Sequence, residues 1–213
     1  MRKKTTPSTE SGVKCAGVPG RQAPSTGKRG TKQGRGERWT THFSYFYFMN
    51  TAEDPVPMLV LKFSHSGRPA ATALPAKGVT DYGQRFFTRF IKETGVRRFI
   101  NFSDNEHAMV ALKDAAAQAC EGVEYTPQAC PQGVHQANGQ IENTVRELKR
   151  QMRALRLHLE KKLRQYNPNG GFKKLEDTDP VLFWTPEFAA NAIAWYRKGP
   201  DGKTPYEREF GRK

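Results

Sequence analysis

Apolar residues recur along this chain with two different periods, and each period predicts one kind of element. Short apolar or aromatic runs predict five β-strands, at residues 42–49, 57–63, 70–74, 98–103 and 123–126. Steps of three and four residues predict a helix over 81–94 that Gly95 caps, and a second helix whose apolar face carries Met109, Leu112 and Ala116. This order of elements predicts an α/β domain, in which helices flank a mixed sheet of about five strands.

The strongest periodic signal predicts a long helix over residues 139–165. Its apolar residues form one continuous stripe at helical spacing: Ile141, Val145, Leu148, Met152, Leu155, Leu159 and Leu163. A loop rich in Pro, Asn and Gly follows at 167–171. A last helix is predicted next, with Thr185 as its cap and Pro186 in its first turn. Its apolar face is predicted to consist of Phe188, Ala192, Trp195 and Tyr196.

Residues 1–38 differ in composition from the rest of the chain. They are dense in Gly, Pro, Ser, Thr and Lys and hold almost no large apolar side chains. Such a segment buries too little surface to offset the entropy of ordering it, so it is predicted to be a disordered tail ahead of a folded domain at 39–213. Its acid-poor, Arg- and Ser-containing start also resembles an organelle transit peptide weakly, and the disordered tail is the favoured interpretation.

The charge balance indicates a polyanionic partner. The chain has 35 Lys and Arg against 21 Asp and Glu, a formal net charge of +14. Residues 1–38 contribute +8 of this charge, so the predicted domain is basic in its own right. Nucleic acid is the commonest polyanion that such proteins bind. No apolar run is long enough to cross a bilayer, so no membrane partner is expected. The three cysteines have no CxxC spacing and predict neither a disulfide framework nor a zinc site.

Two acidic residues stand at element boundaries. Asp104 directly follows the predicted strand 98–103, and Glu142 lies in the predicted first turn of the long helix. An acid after a strand is commonly a helix cap, and an acid in the first turn of a helix is stabilised by the helix dipole. Taken one at a time, both residues are better interpreted as structural.

Taken together, the two acids and their flanking residues resemble a known family. Asp104 lies in Ser103-Asp104-Asn105, and Glu142 follows 38 positions later, after Pro131-Gln132-Gly133 and Asn138-Gly139-Gln140-Ile141. The carboxy-terminal Thr204-Pro205-Tyr206-Glu207, with Gly211 behind it, completes the set. These motifs resemble the integrase catalytic core of retroviruses and Ty1/copia-like retrotransposons, from about residue 42 to residue 213. The resemblance implies an RNase H-like fold and DNA integration by two-metal phosphoryl transfer.

The resemblance also implies a triad of carboxylates that holds Mg²⁺ or Mn²⁺. Asp104 corresponds to the second carboxylate and Glu142 to the third. The first belongs at Ser44, which lies 60 positions before Asp104. Serine is neutral, so the site has one negative charge fewer, and Asp104 and Glu142 remain as metal ligands. We therefore expect weakened metal binding and impaired catalysis.

Basic residues follow Glu142 along the long helix. They are Arg146, Lys149, Arg150 and Arg153. The resemblance implies that the first two contact a DNA end, and Asn138 and Gln140 are candidate polar contacts from a glycine-containing loop at 133–139. The alternative is a solvated charged face, which is what most such runs are. Eight Lys and Arg against three acids between residues 139 and 165 favour DNA.

Three functions remain open at this point. An integrase core, descended from an active enzyme and itself impaired, is the leading interpretation. A non-catalytic nucleic-acid-binding or assembly module with the same fold is the second, and an RNase H-fold nuclease with another substrate is the third. The resemblance further implies a homo-oligomer and action in the nucleus.

Overall fold

A mixed sheet organises the part of the chain that the structure, a computed structural model, describes. The described residues are 39–49, 56–103, 106–129, 135–166 and 174–211, and for 39–49, 129 and 135–138 the description covers the backbone alone. All of them belong to one unit of the chain, Gly36–Lys213. The predicted tail at 1–38 lies outside the described residues.

The sheet has five strands in the order β3-β2-β1-β4-β5. The strands are β1 (Trp39–Met49), β2 (Val56–Phe63), β3 (Pro69–Ala73), β4 (Arg98–Ser103) and β5 (Glu124–Ala129). The first three form an antiparallel meander, whereas β4 pairs with β1, and β5 with β4, in parallel. The predicted α/β class, with helices around a mixed sheet, is confirmed.

Within the described residues, five α-helices and one 3₁₀ turn accompany the sheet. They are α1 (Asp81–Thr94), α2 (His107–Ala119), α3 (His135–Tyr166), the 3₁₀ turn (Pro180–Trp184), α4 (Thr185–Tyr196) and α5 (Pro205–Phe210). The ends of α1 follow the prediction: Gly95 caps it at φ 67°, in the left-handed region that glycine adopts without a steric penalty. At the other end, the Thr80 hydroxyl accepts a 3.1 Å hydrogen bond from the Gly83 backbone N–H.

The two faces of β2 bury alternate residues in two different cores. Leu59, Leu61 and Phe63 pack with residues of α1 and α2. Met58 and Val60 pack on the opposite side, with α3 and α4. Alternate residues of β2 contribute to different cores because successive side chains of a strand point to opposite faces, and helices cover both faces of β2.

Helix α3 packs its predicted apolar stripe against the sheet, but it begins earlier than predicted. Ile141, Val145 and Leu148 are buried, and the stripe continues through half-buried leucines towards the carboxy-terminal end. The helix starts at His135, four residues before the predicted start at Gly139. Asn and Gly favour loops locally, yet here the helical backbone runs through both of them.

Helix α4 differs from its prediction in its cap and in its buried face. The cap is Trp184, and the Thr185 hydroxyl instead donates a 2.6 Å hydrogen bond to the Leu182 carbonyl in the preceding 3₁₀ turn. The large aromatic residues of the predicted apolar face are exposed: Phe188 by 62%, Trp195 by 53% and Tyr196 by 80%. The buried residues of α4 are small: Pro186, Ala189, Ala190 and Ala194.

Helix α5 fastens the carboxy-terminal end of the described chain to the turn between β2 and β3. A reciprocal capping box starts it, in which Thr204 and Glu207 bond each other's backbone N–H. Glu209 accepts hydrogen bonds from Ser66 and Arg68, both at 2.8 Å. The motif Thr204-Pro205-Tyr206-Glu207 thus has a structural role that needs no ligand. Within the described residues, no helix combines the length and apolar character required to span a membrane.

Candidate active site

The register of β1 against its neighbours locates the Ser44 position within the sheet. Ser44 pairs with Val60 of β2, on the antiparallel side of β1. On the parallel side, His42 pairs with Phe102 of β4, and β4 ends one residue later at Ser103. Asp104, the next residue in the chain, lies outside the described residues, as does the side chain of Ser44.

Helix α3 covers the same row of the sheet. Val60, the partner of Ser44 in the register, packs in one cluster with Ile141 and Val145 of α3. Glu142 is adjacent to Ile141 in the helix, and its side chain is exposed. The described backbone therefore brings the Ser44 position and the Glu142 segment of α3 to neighbouring parts of one sheet face. Convergence of the three side chains on one cleft stays a prediction.

The position of Glu142 within α3 corrects the expectation that it lies in the first helical turn. Glu142 lies seven positions after His135, the first residue of the helix, which corresponds to about 10 Å along the axis. The helix dipole acts on charges within the first turn and falls off beyond it. The structural interpretation of Glu142 as a dipole-stabilising acid therefore loses its physical basis.

The predicted basic residues lie on α3 after Glu142. Arg146, Arg150 and Arg153 are exposed, whereas Lys149 is half-buried. Asn138 and Gln140, predicted in a loop before the helix, are residues of α3 itself, and Gln140 is exposed. The predicted loop placement was wrong for these two because the helix starts at His135. Residues 133 and 134 of the predicted loop lie outside the described residues.

A buried lysine next to the end of β4 was missed by the sequence reasoning. Lys113 of α2 is 3% exposed, and its Nζ donates a 2.7 Å hydrogen bond to the hydroxyl of Ser103, which is 1% exposed. Buried lysines need polar or anionic partners because desolvation of an ammonium is costly. The signal was present: Lys113 lies four residues after Met109 and three before Ala116, on the apolar face of α2.

A second buried polar pair lies on the same side of β4. Asn101 is fully buried and donates a 3.3 Å hydrogen bond to the Tyr125 hydroxyl, and its Oδ1 has no partner among the described residues. Burial raises the pKa of Tyr125 to about 12, with a smaller contribution from the charge of Asp114 in the same direction and an opposing one from the Asn101 bond. The phenol therefore stays protonated in any catalytic pH range.

Positive charge also surrounds the carboxy-terminal end of α4. Arg197 pairs with Glu147 of α3 and lines a groove between the two helices, together with Arg150 and Tyr196. Burial lowers the pKa of Lys62, the β2 residue opposite His42, and the nearby charge of Arg197 lowers it further. These cations were not predicted as site residues, because they are distant from Glu142 in the sequence.

The described residues contain no group of three His, Cys, Asp or Glu side chains arranged to hold a metal ion. Of the two carboxylates that the sequence predicts as metal ligands, Glu142 belongs to the described residues and Asp104 does not. Two carboxylates with water as the remaining ligands suit a single Mg²⁺ ion, which binds oxygen and retains part of its hydration shell.

Comparison with known proteins gives matches in structure. No family model and no curated protein matches the sequence. The catalytic core domain of the BIV integrase matches with a TM-score of 0.53 and 17% identity, over 81% of this chain and 93% of that one. The simian T-cell lymphotropic virus intasome, in complex with the PP2A regulatory subunit B56 gamma, matches with a TM-score of 0.53 and 18% identity, over 82% of this chain and 54% of that one.

A third solved structure, the HTLV-2 integrase catalytic core domain in complex with magnesium, has a TM-score of 0.49 and 12% identity, over 80% of this chain and 95% of that one. Identities at this level concern the fold. The two matches with TM-scores of 0.53 show that this chain has the fold of the retroviral integrase catalytic core.

Proposed function

We propose that this chain is an integrase-type core that binds DNA and whose phosphoryl-transfer chemistry is weakened by Ser44. The observation that carries the proposal is the integrase-core fold, in which Glu142 stands on the helix that covers the Ser44 row of the sheet. The sequence supports it independently, through the spacing of Ser44, Asp104 and Glu142. The proposed activity of the chain is DNA integration, and its proposed origin is a retrotransposon.

In this mechanism Asp104 and Glu142 would hold the divalent cation. When bound, Mg²⁺ or Mn²⁺ supplies charge stabilisation to the oxygens of the phosphoryl group being transferred. Glu142 offers an exposed carboxylate on a rigid helix, so its oxygen can be positioned without ordering a loop. A serine hydroxyl at position 44 is neutral and cannot replace the missing anionic ligand.

The test is to restore the missing charge. Ser44→Asp should tighten Mn²⁺ binding measured by calorimetry and raise Mg²⁺- or Mn²⁺-dependent cleavage of duplex DNA ends. Ser44→Asn, which has similar size and no charge, is the matched control and should change neither quantity. Glu142→Gln in the Ser44→Asp background should remove the gain. Equal metal binding by the Asp and Asn variants would contradict the assignment of position 44.

The proposed DNA contacts are tested separately from catalysis. Arg146→Glu and Lys149→Glu should weaken duplex binding, and each lost phosphate contact should reduce the slope of log affinity against log salt by about one. Arg97→Glu changes the same charge at an exposed position before β4 and serves as the control. An unchanged slope in the α3 variants would favour the solvated-face interpretation.

The second candidate, a non-catalytic nucleic-acid-binding or assembly module, is favoured by the serine at position 44. The same two experiments separate it from the first. If the α3 variants lose DNA binding and Ser44→Asp gains no metal affinity, the chain is a binding module that keeps the fold.

We also infer that a second copy of this chain covers the aromatic face of α4. Trp184, Phe188 and Trp195 are 69%, 62% and 53% exposed and recur at steps of four and seven, so they form one stripe. Monomeric proteins rarely expose aromatic residues in a contiguous row, and a twofold contact lets such a row pack on itself. Phe188→Asp should shift sedimentation from dimer to monomer; a wild-type monomer at micromolar concentration would overturn this assignment.

A further inference from the structure

The outer face of α3 carries a row of basic residues that extends well beyond the four predicted DNA contacts. The row consists of positions spaced by three or four residues: Arg146, Arg150, Arg153, Leu157, Lys161 and Arg164. Such spacing keeps every member on one side of a helix. The five basic members are all exposed, and Leu157 in the middle of the row is 66% exposed. This side is opposite the apolar stripe that packs on the sheet.

Two of the three acids of α3, Glu147 and Glu160, do not pair with Arg150, Arg153 or Lys161. Glu147 pairs with Arg197, and Glu160 is 5% exposed and bonded to Arg156. In the part of the chain that the structure describes, no carboxylate comes within ion-pair distance of Arg150, Arg153 or Lys161. Glu147 and Glu160 are thus each engaged with a cation that lies outside the row.

An arrangement of this kind is unfavourable for an isolated helix. Solvated helix faces commonly alternate acids and bases at i, i+4, which adds a few tenths of a kcal/mol per pair. Here Arg146 and Arg150 are a like-charged i, i+4 pair, and Arg150 with Arg153 and Lys161 with Arg164 are like-charged i, i+3 pairs. Repeated like-charge neighbours destabilise the helix by similar amounts. A polyanion bound along the row would remove that repulsion.

We propose that the outer face of α3, as far as Lys161 and Arg164, is a docking surface for the phosphate backbone of duplex DNA. This inference rests on the proposed function and extends its DNA contacts along the helix. From Arg146 to Lys161 the row spans about 22 Å, which corresponds to six or seven base pairs of duplex at about 3.4 Å each. A straight rigid row of cations matches a stiff double helix with evenly spaced phosphates.

The composition of the row distinguishes duplex from single-stranded nucleic acid. Proteins that bind single strands stack the bases on aromatic side chains. The row holds no aromatic residue, and its one apolar member is an aliphatic leucine. Arginine and lysine bind phosphates without reading the bases. Binding along the row is therefore independent of DNA sequence.

Lys161→Glu tests the extension, and Lys162→Glu is its matched control. Lys162 is exposed and adjacent in sequence, but it points about 100° away around the helix, off the row. Both substitutions change the net charge by the same amount at exposed sites, so both variants should keep the wild-type circular dichroism spectrum. Binding of the full chain to a 16-base-pair duplex is measured by fluorescence anisotropy over a range of salt concentrations in EDTA.

Lys161→Glu should weaken binding several-fold on two unrelated duplex sequences alike and reduce the salt slope by about one, whereas Lys162→Glu should leave the slope unchanged. Equal effects of the two substitutions, or equal losses on a single strand of the same length, would overturn the proposal. EDTA removes metal chemistry from the assay. If Arg146→Glu weakens binding but Lys161→Glu behaves like Lys162→Glu, the extension fails while the proposed function stands.

Discussion

Two hydrogen-bonded pairs of side chains form the polar part of the interior on the α2 side of the sheet. Strand β4 directs Phe99, Asn101 and Ser103 towards α2, so an apolar residue is followed by two polar ones on a buried face. The Asn101 amide meets the Tyr125 hydroxyl, and the Ser103 hydroxyl meets the Lys113 ammonium. Buried polar groups of this kind cost free energy unless each is bonded, so the pairs fix how α2 and β5 sit against β4.

Tyr125 gives this part of the fold a dependence on alkaline pH. Its pKa is about 12 in the folded chain against an ordinary value of 10.0, so the folded state binds the phenol proton more tightly than the unfolded state. The stabilisation is complete below pH 10 and is lost as the pH rises from 10 to 12. Allowing for partial exposure of the phenol, the loss is about 1 kcal/mol.

Urea unfolding between pH 8 and pH 12 measures this effect. The free energy of unfolding of the wild type should fall across that window more steeply than that of Tyr125→Phe, which has no proton to lose. The substitution also removes the Asn101 bond, so it should lower stability at pH 8 by about 1 kcal/mol. Parallel pH profiles for the two proteins would show that another group causes the alkaline loss.

At this scale the sequence reveals residue types but not their surroundings. The periodicity of α2 shows that Lys113 occupies a position that faces the core. It does not show that the ammonium of Lys113 donates a hydrogen bond to a serine hydroxyl on β4. Ser44, Asp104 and Glu142 form a set only through the resemblance of their spacing and flanking motifs to the integrase catalytic core. Their joint geometry depends on how β1, β4 and α3 pack, which no local pattern specifies.

Among elements, two glycines with opposite roles test how the helices are terminated and continued. Gly95 caps α1 at φ 67°, and a Cβ built there meets no atom within 4 Å. Gly95→Ala should therefore destabilise the chain by about 1 kcal/mol through backbone strain alone. Gly139 lies inside α3, and a Cβ there also meets nothing within 4 Å. Gly139→Ala should stabilise the chain by about 0.5–1 kcal/mol, because alanine favours helix.

Thermal unfolding of the two variants checks both signs in one experiment. The melting temperature should fall for Gly95→Ala and rise for Gly139→Ala, and Gly95→Asn should lose less than the alanine variant because Asn tolerates the left-handed region. A decrease for Gly139→Ala would mean that the helix does not run continuously through residue 139.

Some elements could be predicted from the sequence, and the burial of their faces explains which. Helix α1, strand β4 and the apolar stripe of α3 follow from periodicity because one face of each is buried by its neighbours. The buried face of helix α4 does not follow from periodicity, because the face that packs in the core consists of small residues. Ala189 and Ala190 lie in one cluster with Ala71 of β3, and small side chains let the helix approach the strand closely. The large aromatics, which usually indicate the core, are left on the outer side.

Across the whole domain, α5 ties the carboxy-terminal end of the described chain to the turn between β2 and β3. Glu209 is 4% exposed at its side chain and bonds Arg68, a residue 141 positions earlier, whose side chain is 11% exposed. The Arg68 guanidinium also lies 4.5 Å from the ring centre of Phe90 on α1 and contacts Glu93. Nearby, Tyr206 stacks on Trp195 at 4.4 Å between ring centres. One cation thus joins the β2–β3 turn, α1 and α5.

This long-range tie predicts a large stability loss for Glu209→Ala. The substitution leaves the Arg68 charge buried with only the half-exposed Glu93 as a partner, and it removes the acceptor of the Ser66 hydroxyl. Breaking one side of a buried ion pair costs about 3–5 kcal/mol. The double variant Arg68→Met/Glu209→Met should recover much of that loss, because two apolar side chains leave no unpaired charge.

Urea unfolding of the single and double variants measures both effects. Arg98→Ala, which breaks an exposed pair with Glu124, is the control and should cost about 0–1 kcal/mol. If Glu209→Ala costs no more than Arg98→Ala, α5 does not hold the domain together.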